Sequence, residues 1–264
     1  MTEDQTDTRT AQYWQDFLEH PDTFMAVGRH VFRRLPSSPR CQLCAAPFSG
    51  LGGSAMRMIG KRPSVGNPNM CNSCQDKLIK HHGGAEVTGA MLFADIRGST
   101  TIAERMTPTD FRALLDRFYV VASGAVYANG GIVDKFVGDE LVAMFPPLLG
   151  ERYSERAINA AREVLRLTGH GDVTGPWVPV GAAVHTGRAW FGTVGQGHHT
   201  EITMVGDAVN TTACLAALAV AGEIVVSVDA AAEADLDTTL GRRTLELKGK
   251  EVPVDVVSLR VGPG

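Results

Sequence analysis

The residues best suited to chemistry fall into two groups. Cys41-Gln-Leu-Cys44 and Cys71-Asn-Ser-Cys74 are two CxxC pairs separated by 26 residues rich in Gly, Pro and Arg. Each tight turn presents two sulfurs to one centre, so four thiolates in two such knuckles suit a tetrahedral ion with soft ligands. One Zn²⁺ is the expected occupant, and an iron–sulfur cluster, which uses the same ligand set, stays open as the alternative. His81 and His82 read as linker residues before Gly83-Gly84, with ligation as their other reading. The second group is acidic. Asp95 stands where the apolar run Met91-Leu-Phe-Ala gives way to the polar turn Ile96-Arg-Gly-Ser-Thr100. A carboxylate at such a strand end can hold a hard cation while the following N–H groups face phosphate. Asp139 follows Gly138 at a hairpin tip, where turn chemistry alone would also place an aspartate.

The elements that must position these residues follow from periodicity. Between residues 11 and 35, Trp14, Phe17, Leu18, Phe24, Val27, Val31 and Phe32 recur at broadly helical spacing, interrupted at Pro21. One or two amphipathic helices are predicted, packing against the rest of the protein or a second subunit rather than a membrane surface. Pro36-Ser-Ser-Pro39 ends that pattern. The cysteine segment has too few large apolar residues for a core, so metal ligation would supply its folding energy. From Glu86 onward strands and helices alternate: a strand over 87–94, then a helix over 108–127 with core positions Phe111, Leu114, Leu115, Phe118 and Val121. Strands over 132–137 and 141–145 are joined through Gly138-Asp139. A helix over 151–167, a second strand pair over 178–184 and 188–194, a helix over 206–220 and a strand over 224–228 follow. Final strands over 244–247 and 254–259 flank Lys248-Gly249-Lys250. Helices beside mostly antiparallel strands give an α+β class. Three segments result: a helical one over 1–38, a metal-binding module over 39–84 and an α+β domain over 85–264.

Composition narrows the class. With 264 residues and 44 % hydrophobic content the chain can bury a sizeable core in one or two domains. Its 20 % charged and 6 % aromatic content fits neither intrinsic disorder nor a disulfide-stapled mini-protein. No window approaches the roughly 18 to 20 apolar residues of a membrane span, and the acidic start is unlike an export signal, so a cytoplasmic location is expected. Charge is uneven. Residues 29–80 hold nine basic and one acidic side chain, whereas residues 1–28 hold one basic and six acidic. The basic block either binds an anionic partner or docks on the acidic remainder. With Phe32 and Phe48 as its aromatics it is poorly equipped to stack bases, which argues against nucleic acid.

Four separated segments carry a family resemblance: Phe93-Ala-Asp-Ile-Arg-Gly-Ser-Thr100, Lys135-Phe-Val-Gly-Asp-Glu-Leu-Val-Ala-Met-Phe145, Val180-Gly-Ala-Ala-Val-His-Thr-Gly187 and Val205-Gly-Asp-Ala-Val-Asn210. Over about residues 86 to 260 the chain resembles the class III adenylate/guanylate cyclase catalytic domain, whose fold is ferredoxin-like. The four-cysteine segment resembles a zinc-ribbon-like N-terminal extension of some bacterial members. The resemblance implies that Asp95 and Asp139, with the backbone of Ile96, hold two Mg²⁺ or Mn²⁺ ions for attack of the ribose 3′-hydroxyl on the α-phosphorus of ATP. It further implies that Arg97, Gly98, Ser99 and Thr100 cradle phosphates and that Lys248 or Lys250 approaches the terminal one. Lys135 matches the base-selecting lysine and Thr203 its partner, a pair that suits adenine, while Asn210 matches the residue orienting the ribose. In the family the metal aspartates and the base-selecting residues of one site come from different subunits, so a homodimer with two composite sites is implied.

One departure stands out. Where the family places a transition-state arginine, four residues after the asparagine, this chain has Cys214, and no Arg or Lys occurs between Ile202 and Val220. Losing such a donor costs on the order of 10² to 10³ in rate. His198 and His199 also stand where many relatives carry an arginine, and Arg188 is a candidate substitute. His185 reads as a satisfied sheet histidine and Asp207 as a helix-starting acid. The expected function is thus a weak adenylate cyclase, a lyase of intracellular signalling. The alternatives are a degenerate nucleotide-binding regulatory module, and a metal-module interaction protein using the cyclase fold as dimer scaffold. A regulatory protein partner fits any of these.

Overall fold

The computed structural model describes residues 3–20, 23–35, 39–65, 68–195, 201–237 and 239–261. Pro21, Pro36, Ser37, Ser38, His198 and His199, and the side chain of Phe24, lie outside them. The chain divides into two compact units, one of residues 1–87, 147–150 and 190–204, the other of residues 88–146, 151–189 and 205–264.

Two helices open the first unit, α1 (Glu3–Glu19) and α2 (Thr23–Arg33). Trp14, Phe17 and Leu18 are buried, and Trp14 meets Phe191 edge-on, whereas Val27 and Val31 on α2 are exposed. Two short helices absent from the periodicity reading follow: α3 (Gly50–Met58), between the cysteine pairs, and α4 (Asn72–Lys80), which begins just after Cys71.

Beyond them run β1 (Gly84–Ile96), α5 (Ser99–Glu104), α6 (Pro108–Ala128), β2 (Ile132–Val137), β3 (Glu140–Phe145), a 3-10 turn (Pro147–Leu149) and α7 (Tyr153–Leu167). The chain continues through β4 (Val180–Val194), β5 (Glu201–Val205), α8 (Asp207–Leu218), β6 (Glu223–Ser227), α9 (Val228–Glu233), β7 (Arg242–Leu245) and β8 (Val254–Arg260). The sheet order is β2-β3-β1-β4-β6-β8-β7, with β5 paired to β4. The β2–β3, β1–β3, β6–β8 and β7–β8 ladders are antiparallel and β4–β6 is parallel. Among the described residues no helix is long and apolar enough to cross a membrane.

The start of α6 is set locally: Thr107 accepts from the Asp110 amide at 3.1 Å and Pro108 occupies the first turn. Its buried face runs through Phe118, Ala122, Ala125 and Val126. These pack in one core with Leu92, Ala94 and Ile96 of β1, Leu141, Ala143 and Phe145 of β3, and Ile158, Val164 and Leu165 of α7. Alternate strand residues thus face the helices, as a period of two requires. The predicted strand pair over 178–184 and 188–194 is instead one continuous strand, β4. Gly187 makes no turn there. A Cβ on it would stand 2.7 Å from the Ala208 Cβ, so the glycine lets α8 approach the strand.

Candidate active site

Sheet register brings the two aspartates together. Asp95 pairs with Glu140 across the β1–β3 ladder, which sets Asp139, the preceding turn residue, beside the end of β1. Burial, a hydrogen bond with Asp139 and the negative charges of Asp139 and Glu140 push the Asp95 carboxyl up to about 7, against the pull of Arg97. Burial likewise raises Glu140. Two facing carboxylates with only oxygen donors fit a hard divalent cation, which would relieve their repulsion. The turn itself is clamped: Gly138 is left-handed at φ 62°, and the Tyr119 hydroxyl donates to its carbonyl while the Tyr119 ring stacks on Phe136 at 3.8 Å. Nothing in the helical pattern of α6 distinguishes Tyr119 for this task.

Arg97, expected at the phosphates, is held by partners within the chain. Its amide donates to Pro179 O at 2.8 Å, and its guanidinium bonds the Asp95 carboxylate and the carbonyls of Ala217 and Ala219, each at 3.2 Å. The fork therefore ties the end of β1 to the end of α8. Gly98 is left-handed at φ 67° and caps α5, whose first-turn amides, at Ser99 and Thr100, have no carbonyl partner within their own helix.

On α8, Asp207, Asn210 and Cys214 follow helical spacing along one face; Asn210 is exposed and Cys214 half-buried. The Lys248–Lys250 connection lies along this face. The Lys250 ammonium pairs with Asp207, and the Cys214 sulfur is 4.0 Å from Lys248 O. Asp207 starts its helix as expected and in addition holds Lys250. His185 is not satisfied as expected: its Nδ1 is buried with no hydrogen-bond partner among the described residues, and burial lowers its pKa. Lys135 lies on the edge strand β2, just past a register shift between Val133 and Lys135, with its ammonium 3.8 Å from Asp134. Arg188 is exposed in the middle of β4.

In the first unit, Thr203 is buried on β5. The Cys41, Cys44, Cys71 and Cys74 sulfurs lie within 4.8 Å of one another, and all four are free thiols. Hydrogen bonding with Cys41 leads the effects that lower Cys44 and Cys71. Burial opposes the Lys61 charge, yet the four sulfurs together hold it above the ordinary lysine value.

Residues 84–256 match the family described as the adenylate and guanylate cyclase catalytic domain. An adenylate cyclase of Anabaena cylindrica is 33 % identical over 138 residues, 48 % of this chain and 27 % of that protein. The terminal-differentiation-specific adenylate cyclase of Dictyostelium discoideum is 32 % identical over 123 residues, 46 % of this chain and 6 % of that protein. An uncharacterised Mycobacterium tuberculosis protein is 32 % identical over 179 residues, 65 % of this chain and 32 % of its own length. The chain thus spans less than a third of each of these relatives. Among solved structures, a guanylyl cyclase superposes with TM-score 0.61 at 24 % identity, covering 69 % of this chain and 95 % of its own. The adenylyl cyclase CyaB from P. aeruginosa gives 0.57 at 23 % identity, covering 69 % and 99 %. At these identities the structural likeness speaks to fold.

Proposed function

This chain belongs to the adenylate and guanylate cyclase catalytic domain family, and from that premise we propose that it converts ATP to 3′,5′-cyclic AMP and pyrophosphate at sites shared between two copies. The observation that carries the reading is the approach of the Asp95 and Asp139 carboxyl groups where the β1–β3 ladder, through Asp95 and Glu140, ends. Asp95, Asp139 and the Ile96 carbonyl would hold two Mg²⁺ or Mn²⁺ ions, whose chemistry there would be acidification of the ribose 3′-hydroxyl and neutralisation of the leaving pyrophosphate. Asn210 orients the ribose. The amides of Gly98, Ser99 and Thr100 and the ammonium groups of Lys248 and Lys250 receive the phosphates. Lys135 donates to N1 of adenine and Thr203 accepts from the exocyclic amine, whereas the N1–H of guanine opposes a lysine. Lys135 on β2 and Asp139 in the turn that follows it serve opposite sites of a twofold dimer.

The test is cyclic nucleotide production by the purified chain from MnATP and MnGTP in parallel. Cyclic AMP is expected, and Asp139→Ala abolishes it. Mixing Asp139→Ala with Lys135→Ala restores about a quarter of the rate through dimers with one intact site. Cyclic GMP in equal or greater yield sinks the substrate assignment, and no rescue on mixing sinks the composite site. A second reading rests on Cys214, which leaves α8 without a cation: a domain that binds ATP and signals without turnover. Tight ATP binding with no product, together with cyclic AMP formation by Cys214→Arg, supports that reading instead.

A further inference from the structure

The four cysteines lie outside residues 84–256, so cyclase chemistry does not account for them. Their scaffold is built from both halves of the module. Cys41 N–H donates to Ala46 O and Ala45 N–H to Cys41 O, each at 2.9 Å, with Ala45 left-handed at φ 60°. In the second knuckle Cys74 N–H and Gln75 N–H both donate to Cys71 O at 3.0 Å. Gln42 N–H donates to Asn69 O at 2.9 Å, and Cys71 N–H reaches the Cys41 sulfur at 3.2 Å, so the two knuckles are stitched to each other. Arg29 fixes the first knuckle from α2, donating to Gln42 O and Leu43 O at 2.7 Å each.

The sulfur spacing decides what fits. A Zn–S bond of about 2.3 Å sets tetrahedral sulfurs about 3.8 Å apart. The Cys44 and Cys71 sulfurs are 3.8 Å apart, and no pair exceeds 4.8 Å. A polynuclear cluster ligates its cysteines through different irons and spreads them beyond one ion's shell. One divalent ion with four thiolates leaves a net charge of −2 among buried groups, which is costly unless paired. Lys61, half-buried, brings its ammonium to 4.0 Å from the Cys71 sulfur.

We propose that Cys41, Cys44, Cys71 and Cys74 form a single-ion tetrathiolate site for Zn²⁺ and that Lys61 is its charge-balancing neighbour, shielding the thiolates from electrophiles. Groups of this kind around metal ligands change affinity or reactivity by about 10- to 100-fold when removed.

The experiment uses the full chain. Elemental analysis of the purified protein should give one zinc per chain. Exchange with Co²⁺ should give the absorption of a tetrahedral four-sulfur site. More than one iron with inorganic sulfide, or a cobalt spectrum with nitrogen or oxygen ligation, overturns the site. Zinc release to a chromogenic chelator during N-ethylmaleimide treatment then reads Lys61. Lys61→Met should release zinc at least about tenfold faster than wild type, and Lys61→Arg, which keeps the charge, should not. Equal rates for wild type and Lys61→Met overturn the role of Lys61 while leaving the metal count as a separate result.

Discussion

Replacing Asp95 by asparagine should stabilise the metal-free chain at pH 8. The wild-type carboxyl is ionised there although half-buried beside Asp139 and Glu140, and its value is pushed from 3.8 to about 7. Between those limits the folded chain binds a proton that the unfolded chain releases, so the stability contribution is full below pH 3.8 and is lost as pH rises through about 7. The interval corresponds to about 4 kcal/mol. About half of that is retained in the variant, about 2 kcal/mol, because the side chain is 28 % exposed and asparagine forfeits the ion pair with Arg97. For a chain of this size the melting temperature should rise by roughly 4–8 °C at pH 8, and the advantage should narrow as pH falls and vanish near pH 4. Thermal melts without added divalent ions, at several pH values, measure it. Added Mn²⁺ should stabilise wild type and leave Asp95→Asn unmoved. A variant no more stable than wild type at pH 8, or an advantage that grows toward acid, refutes the electrostatic account.

Cys214→Arg should raise turnover of MnATP by about 10² to 10³ with KM little changed; an unchanged kcat would mean that the missing charge is supplied elsewhere. Gly187→Ala forces a methyl to 2.7 Å from Ala208 Cβ, so α8 must move, at a cost of about 1–3 kcal/mol, and turnover should fall because Asn210 rides on that helix. Equal melting temperatures for this variant and wild type would contradict the close approach. Arg97→Gln removes the contact that lowers Asp95, so the apparent Mn²⁺ affinity at pH 7, followed by the free-ion EPR signal, should fall and recover at higher pH. An affinity independent of pH would contradict it.

What could be read from the sequence was what is locally determined. The Gly138-Asp139 hairpin was legible because a short turn between alternating runs fixes its own register. The cysteine pairs were legible because ligand spacing within each knuckle is itself local. Helix α6 declared itself through Thr107-Pro108 and the apolar spacing around Phe118. The misreading of β4 has the opposite origin: Thr186-Gly187 looks like turn punctuation, but the glycine answers to Ala208, a contact made far along the chain. The intramolecular contacts of Arg97 left no trace for a related reason. Besides the neighbouring Asp95 carboxylate, its partners are backbone carbonyls about 120 residues away, and every residue has one, so no pattern announces them. Helices α3 and α4 are short, α3 rich in glycine and α4 mostly polar, with too few buried residues to leave a periodic trace. The contacts of Tyr119 with Gly138 and Phe136, and of Lys61 with Cys71, join single residues that composition and period do not mark.

Arg97 also has a bearing on how paired sites would communicate. In the proposed twofold assembly, α8 works in one site and Asp95 in the other, yet within each chain one guanidinium grips both. Such a strut hands any displacement of the helix by arriving nucleotide to the carboxylate that serves the neighbouring pocket. Substrate saturation should then depart from a hyperbola, and cutting the strut should restore one.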